Sequence, residues 1–155
     1  MKTTMMALGI ACAGGAMIAN AALAGAVAPG DVAYVDGAVA APLTDAAGDP
    51  AAGRDWFADR KLGNCLACHT NSDRDDQSFH GEVGPTLDGA GDRWTEAELR
   101  GIVANAKMTF EDTIMPAFYR DAGFTRVNEK FAGATILSAQ QVEDIVAYLA
   151  TLKEE

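Results

Sequence analysis

Apolar positions recur at helical spacing in three stretches of this chain, and long irregular segments separate them. The clearest stretch follows Ser138. Val142, Ile145, Val146 and Leu149 fall on one face there, with Tyr148 and Leu152 beside them, as in an amphipathic helix. Ser138 and Gln141 stand three residues apart as the N-cap and N3 of a capping box, which places the helix start. A second stripe, Leu99, Ile102, Val103 and Ala106, follows Thr95-Glu96-Ala97-Glu98. That tetrapeptide is another capping box, and it predicts a helix ending near Lys107. The first helix opens at Asp49-Pro50, an N-cap followed by the residue best tolerated at the first helical position, and is predicted to run to Arg60. Gly53 and Phe57 share one of its faces, as do Trp56 and Arg60.

The intervening segments carry no such period. Residues 25–48 are rich in Ala, Val, Gly and Pro with scattered Asp. Val32, Tyr34 and Val35 hint at one short strand that has no partner. This segment reads as an irregular arm that either lies over the domain or contacts another subunit. Asn71 to Gln77 is a polar run with no periodicity, hence a solvated loop, and Gly81, Gly84, Pro85, Gly89 and Gly91 continue the irregular stretch. Between Met108 and Thr135 helical signals are few, while Phe110, Phe118, Tyr119, Phe124 and Phe131 are gathered there. The prediction is an all-α domain of three main helices joined by long loops. Loops of that length need a reason in a compact domain. Wrapping a cofactor that supplies the missing core is sufficient for a chain this small.

Residues 1–24 stand apart. Lys2 is the only charge before Asp31, an Ala/Leu/Ile/Met-rich run follows it, and Ala22-Leu23-Ala24 offers a small-residue cleavage site. This is the pattern of an export signal, cut after Ala24 or a few residues to either side. The apolar run falls short of the ~20 strongly apolar residues that span a bilayer, so no membrane anchor is expected. The expected organisation is a signal peptide at 1–24, the arm at 25–48 and the folded domain at 49–155, working in the periplasm. Removing the signal takes one of 12 basic residues and none of 22 acidic ones, so the net charge moves from -10 to -11. Such a surface argues against nucleic acid and anionic membranes as partners. It suits solubility, or the steering of a basic redox partner.

Of the three cysteines, Cys12 falls in the signal, leaving Cys65 and Cys68. They belong to Cys65-Leu66-Ala67-Cys68-His69, the attachment signature of a c-type haem. Each thiol forms a thioether to one vinyl group of the porphyrin, and His69 then lies where its imidazole ligates the iron. The other readings of a C-x-x-C are a redox dithiol or half a zinc site. No β-α-β pattern accompanies the motif, and a second zinc-ligand pair is missing. The second axial position belongs to Met, to His, or to neither. Met115, followed by Pro116 in the aromatic-rich loop, is best placed for it. Met108, His80 and an open site are the alternatives. A His/Met iron is six-coordinate, which suits a carrier better than a catalyst. Asp73, Asp75 and Asp76 read as solvated loop charges. Arg93 and Trp94 are candidates for the haem propionates, with plain surface packing as the alternative.

Gly63-Asn64-Cys65-Leu66-Ala67-Cys68-His69 together with Gly84-Pro85-Thr86-Leu87 resembles a class I cytochrome c. The resemblance implies that the first and last helices cross near the haem edge, through Gly53, Phe57, Ile145 and Tyr148. It also implies that the Pro85 carbonyl accepts the ring N–H of His69. A longer resemblance covers most of 48–153. Arg93 to Arg100, Phe110 to Arg120 and Thr135 to Asp144 are similar to the monohaem SoxX subunits of bacterial sulfur oxidation. The family implies one covalent haem c in a periplasmic heterodimer with a dihaem or monohaem SoxA-type cytochrome. That complex acts as an L-cysteine S-thiosulfotransferase, joining thiosulfate to a cysteine of the SoxYZ carrier. This subunit accepts the electrons released and passes them to a soluble cytochrome c. Other classes remain in view: a free-standing soluble cytochrome c shuttle, a haem enzyme with an open axial site, or a structural metal or disulfide protein.

Overall fold

The computed structural model describes residues 25–154; the expected signal segment, 1–24, lies outside the described residues. Among the described residues four helices are present: α1 (Pro50–Ala58), α2 (Ala90–Arg93, a single turn), α3 (Glu96–Asn105) and α4 (Ala139–Thr151). Short 3-10 turns lie between them, at Cys65–Ala67, Ser72–Arg74, Ala106–Met108 and elsewhere. Among the described residues there is no β-strand. The hint at Val32–Val35 resolves into one isolated antiparallel bridge, Val35 with Ala38. This is the all-α architecture expected, with α2 as an additional turn.

The helix starts follow from their caps. The Asp49 carboxylate accepts the Ala51 N–H at 2.9 Å. In both capping boxes the N3 side chain also reaches back. The Thr95 N–H donates to Glu98 Oε2 and the Ser138 N–H to Gln141 Oε1, each at 2.8 Å. Helix α1 ends at Ala58, two residues before Arg60. Asp59 turns extended there, and its side chain accepts the Lys61 N–H at 2.8 Å. Helix α3 gives way at Asn105 to the turn Ala106–Met108.

Helices α1 and α4 cross at closest approach where Gly53 faces the main chain of Asp144 and Ile145. A Cβ on Gly53 would stand 2.9 Å from the Ile145 nitrogen and overlap the Asp144 carbonyl. One turn on, the fully buried Phe57 meets Tyr148 edge-on, with centroids 5.4 Å apart. Trp56 Nε1 donates to Asp144 Oδ2 at 3.1 Å. Leu99 and Val103 of α3 join Val142, Ile145, Val146 and Leu149 of α4 in the same core. Burying a side chain such as Phe57 contributes about 1.5–3 kcal/mol.

Residues 25–48 lie over this core. Val39 and Leu43 are buried in it. The Val39 N–H donates to the Ala97 carbonyl at 2.9 Å, and Tyr119 Oη donates to the Val27 carbonyl at 2.6 Å. A buried ion pair anchors the segment. Arg100 of α3 grips Glu143 of α4 in a two-point contact, at 2.7 and 3.0 Å. The same guanidinium donates to the Val39 carbonyl at 2.9 Å, and the same carboxylate accepts the Leu43 N–H at 2.8 Å.

The polar run 71–77 departs from the solvated loop expected. Asn71 and Arg74 are buried. Asn71 Nδ2 donates to Tyr148 Oη at 2.9 Å, and that hydroxyl donates to Asp73 Oδ2 at 2.7 Å. Arg74 holds Asp76 at 2.8 and 2.9 Å. A polar segment is docked by satisfying its groups on partners that the sequence places far away, a relation no local pattern records.

Candidate haem site

The C-x-x-C-H segment leaves α1 through a bend at Asn64, whose φ of 48° lies in the left-handed region that Asn tolerates. The turn Cys65–Ala67 follows, with the His69 N–H donating to the Cys65 carbonyl at 3.0 Å. Leu66 points into the core at 5% exposure, while Cys65, Cys68 and His69 stay half-buried. Neither cysteine forms a disulfide. Desolvation pushes the Cys65 thiol up to about 12.

His69 is oriented by two contacts. Its Nδ1 lies 2.7 Å from the Pro85 carbonyl oxygen. A carbonyl only accepts, so Nδ1 carries the proton and the Nε2 lone pair is left for a metal. Its ring also lies flat against Gly84, where a Cβ would come within 2.7 Å of Nδ1 and 2.9 Å of Nε2. The Gly84 N–H donates to the Cys68 carbonyl at 2.8 Å, tying the 84–85 segment to the motif. Arg93 holds the far side of that segment through the carbonyls of Thr86, at 2.9 Å, and Asp88. Its guanidinium is thus engaged with main chain. Trp94 packs edge-on against Phe110, with centroids 6.1 Å apart.

Met115 is half-buried and packs against the hydrophobic core in the loop after α3. Its N–H donates to Thr113 Oγ1 at 3.2 Å. Met108 is 49% exposed on the 3-10 turn. His80 uses both ring nitrogens inside the 71–80 loop: Nδ1 accepts the Asn71 N–H at 3.4 Å, and Nε2 lies 3.0 Å from the Arg74 carbonyl. It is a brace with no lone pair to spare. Asp73 and Asp76 are ion-paired with Arg54 and Arg74. Among the described residues no group of three or more His, Cys, Asp or Glu side chains is placed to hold a metal ion.

These residues fit a covalent haem. Two unpaired thiols stand at the required spacing, and an imidazole with a fixed tautomer follows them. The glycine beside that ring admits it where any side chain would collide. Sequence reasoning missed the Arg93 clamp, the His80 brace and the docking of Asn71 on Tyr148. Each joins groups distant in sequence, and only the crowding of Gly and Pro after His80 hinted that a main chain must come close.

The helix crossing and the Cys65–His69 motif braced by Gly84 and Pro85 together define a class I c-type cytochrome. Residues 50–153 match the family described as Cytochrome c. The chain is 56% identical to a chain of the crystal structure of SoxXA from P. pantotrophus. That match covers 83% of this chain and 99% of that chain, with a TM-score of 0.80. Ferric cytochrome c-550 from Paracoccus versutus is 20% identical over 68% of this chain, with a TM-score of 0.38, too remote to bear on the argument. No curated protein matches. The chain belongs to the cytochrome c family, in its SoxX branch. As such it carries covalently bound haem c and serves as an electron-transfer subunit.

Proposed function

We propose that Cys65 and Cys68 hold the haem as thioethers and that His69 and Met115 are its axial ligands. The Pro85 carbonyl keeps the His69 ring in one tautomer and one plane. Hydrogen bonding of this kind also raises the basicity of a ligating imidazole. Bound there, the haem supplies a one-electron couple, and a His/Met pair sets that couple higher than bis-His ligation does. With both axial positions taken by protein side chains, substrate has no place on the iron. The chain then carries electrons and leaves bond-making to a partner.

The partner in this reading is a SoxA-type cytochrome, and the two form a heterodimer in the periplasm after residues 1–24 are removed. The larger subunit joins thiosulfate to a cysteine of the SoxYZ carrier. The present chain takes up the electrons and hands them to a soluble cytochrome c. The near full-length similarity to one chain of the SoxXA structure supports this most directly. No helix among the described residues is long and apolar enough to cross a membrane.

Co-expression with a SoxA-type protein tests the pairing: the two chains should copurify, and elution of this chain as a monomer would sink the proposal. Absorption spectra test the ligands. Met115→Ala should abolish the thioether-to-iron charge-transfer band of the oxidised holoprotein, while Met108→Leu and His80→Ala should leave it in place. A band that survives Met115→Ala would move the ligand to Met108.

A further inference from the structure

Lys107 spends its ammonium on the main chain of the loop that ends at Met115. Its Nζ donates to the Thr113 carbonyl at 3.2 Å and to the Met115 carbonyl. An exposed lysine ordinarily keeps its donors in water, so two main-chain carbonyls of one loop on one ammonium form a clamp. The clamp has a fixed base. Asn105 Oδ1 accepts the Lys107 N–H at 3.3 Å and caps the 3-10 turn Ala106–Met108, which continues α3. The loop has its own supports. The Phe110 N–H donates to the Ala106 carbonyl at 2.8 Å, and the Thr113 N–H to the Phe110 carbonyl at 3.1 Å. Thr113 Oγ1 accepts the Met115 N–H. The carbonyls of Thr113 and Met115 have no other protein donor among the described residues.

We infer that Lys107 is a positioning residue for Met115: it ties the loop to the end of α3 and holds the thioether at the iron. The inference rests on the reading of Met115 as axial ligand. A methionine on a loop dissociates as often as the loop opens, and charge-assisted bonds are the strong ones. Loss of the clamp therefore raises the rate at which an external ligand displaces Met115. A positive charge beside the ligand's carbonyl also favours the reduced, less positive iron, so its removal lowers the reduction potential.

The test uses the holoprotein of the full chain as Lys107→Gln, Lys107→Arg and Met115→Ala, compared with wild type. The readouts are the thioether-to-iron band, the rate of cyanide binding to the oxidised protein, and the reduction potential. Lys107→Gln should keep the band at reduced intensity, bind cyanide about tenfold faster or more, as befits loss of hydrogen bonds from a charged donor, and show a lower potential. Lys107→Arg, which keeps charge and donors, should recover most of the wild-type rate. Wild-type cyanide kinetics and potential in Lys107→Gln, with the band lost in Met115→Ala, would overturn the clamp and leave Met115 as the ligand. A band that persists in Met115→Ala would overturn both.

Discussion

His69 Nδ1 stands 2.7 Å from the carbonyl oxygen of Pro85, sixteen residues further along the chain. That one bond connects the Cys65–His69 segment to the loop that follows it and leaves Nε2 as the ring nitrogen with a free lone pair. Gly84 makes the bond possible by leaving the ring room.

Gly84→Ala is therefore expected to act at the haem and not merely on folding. The added methyl must push the imidazole off the Pro85 carbonyl or move the 84–85 segment, a strain of about 1–3 kcal/mol. Haem incorporation should fall, and the holoprotein that does form should show a shifted reduction potential. An unchanged potential at full haem content would show that the ring has another way to sit.

The α1–α4 crossing should be as intolerant. Gly53→Ala places a methyl against the Asp144 carbonyl and the Ile145 nitrogen, and it should lower the unfolding free energy by about 1–3 kcal/mol. Gly30→Ala, whose Cβ would meet nothing within 4 Å, is the matched control and should be within about 0.5 kcal/mol of wild type. Denaturant unfolding of the two holoproteins separates them.

The Arg100–Glu143 pair is buried on both sides, each side chain 6% exposed. Arg100→Met alone should cost about 3–5 kcal/mol, since it strands a buried carboxylate. Arg100→Met with Glu143→Leu should recover part of that loss. Recovery stays incomplete because the Val39 carbonyl and the Leu43 N–H lose their partners. A double-mutant cycle on chemical denaturation measures both effects, and faster proteolysis within 25–48 should accompany the single variant.

Stability should fall at the acid and alkaline ends of the pH range. The Tyr148 hydroxyl, and then Arg54, hold the Asp73 carboxyl below the usual carboxylate range; the Ser72 N–H does the same for Asp88. Groups depressed in the folded state contribute stability that is present above their unfolded value of about 3.9 and lost as pH falls through the folded values. Tyr148 is pushed up by burial and by its bond to Asp73. Its contribution is present below the unfolded value of about 10 and lost as pH rises through the folded one. Tyr148→Phe should flatten the alkaline limb in denaturant midpoints recorded against pH, and an unchanged limb would assign it elsewhere.

Local chemistry along the chain determined a good deal by itself. Both capping boxes, the Asp49-Pro50 start and the apolar stripe of α4 are relations within three or four residues, so helix positions were legible. The attachment pentapeptide is likewise local, because its two cysteines must span one porphyrin edge. Gly53, Phe57, Ile145 and Tyr148 were legible through resemblance to a class I cytochrome c, and the crossing lies where that implied. The tertiary structure alone decided how 25–48 is seated, since Val39 and Leu43 are tied through Arg100 and Glu143, about sixty and one hundred residues away. It also turned the polar run at 71–77 into a docked segment and occupied both nitrogens of His80. Arg93 and Lys107 became clamps on main-chain carbonyls in the same way. Periodicity records which face of an element is apolar. It carries no record of which distant group will satisfy a buried carbonyl, carboxylate or guanidinium, and those pairings exist only once the chain has closed on itself.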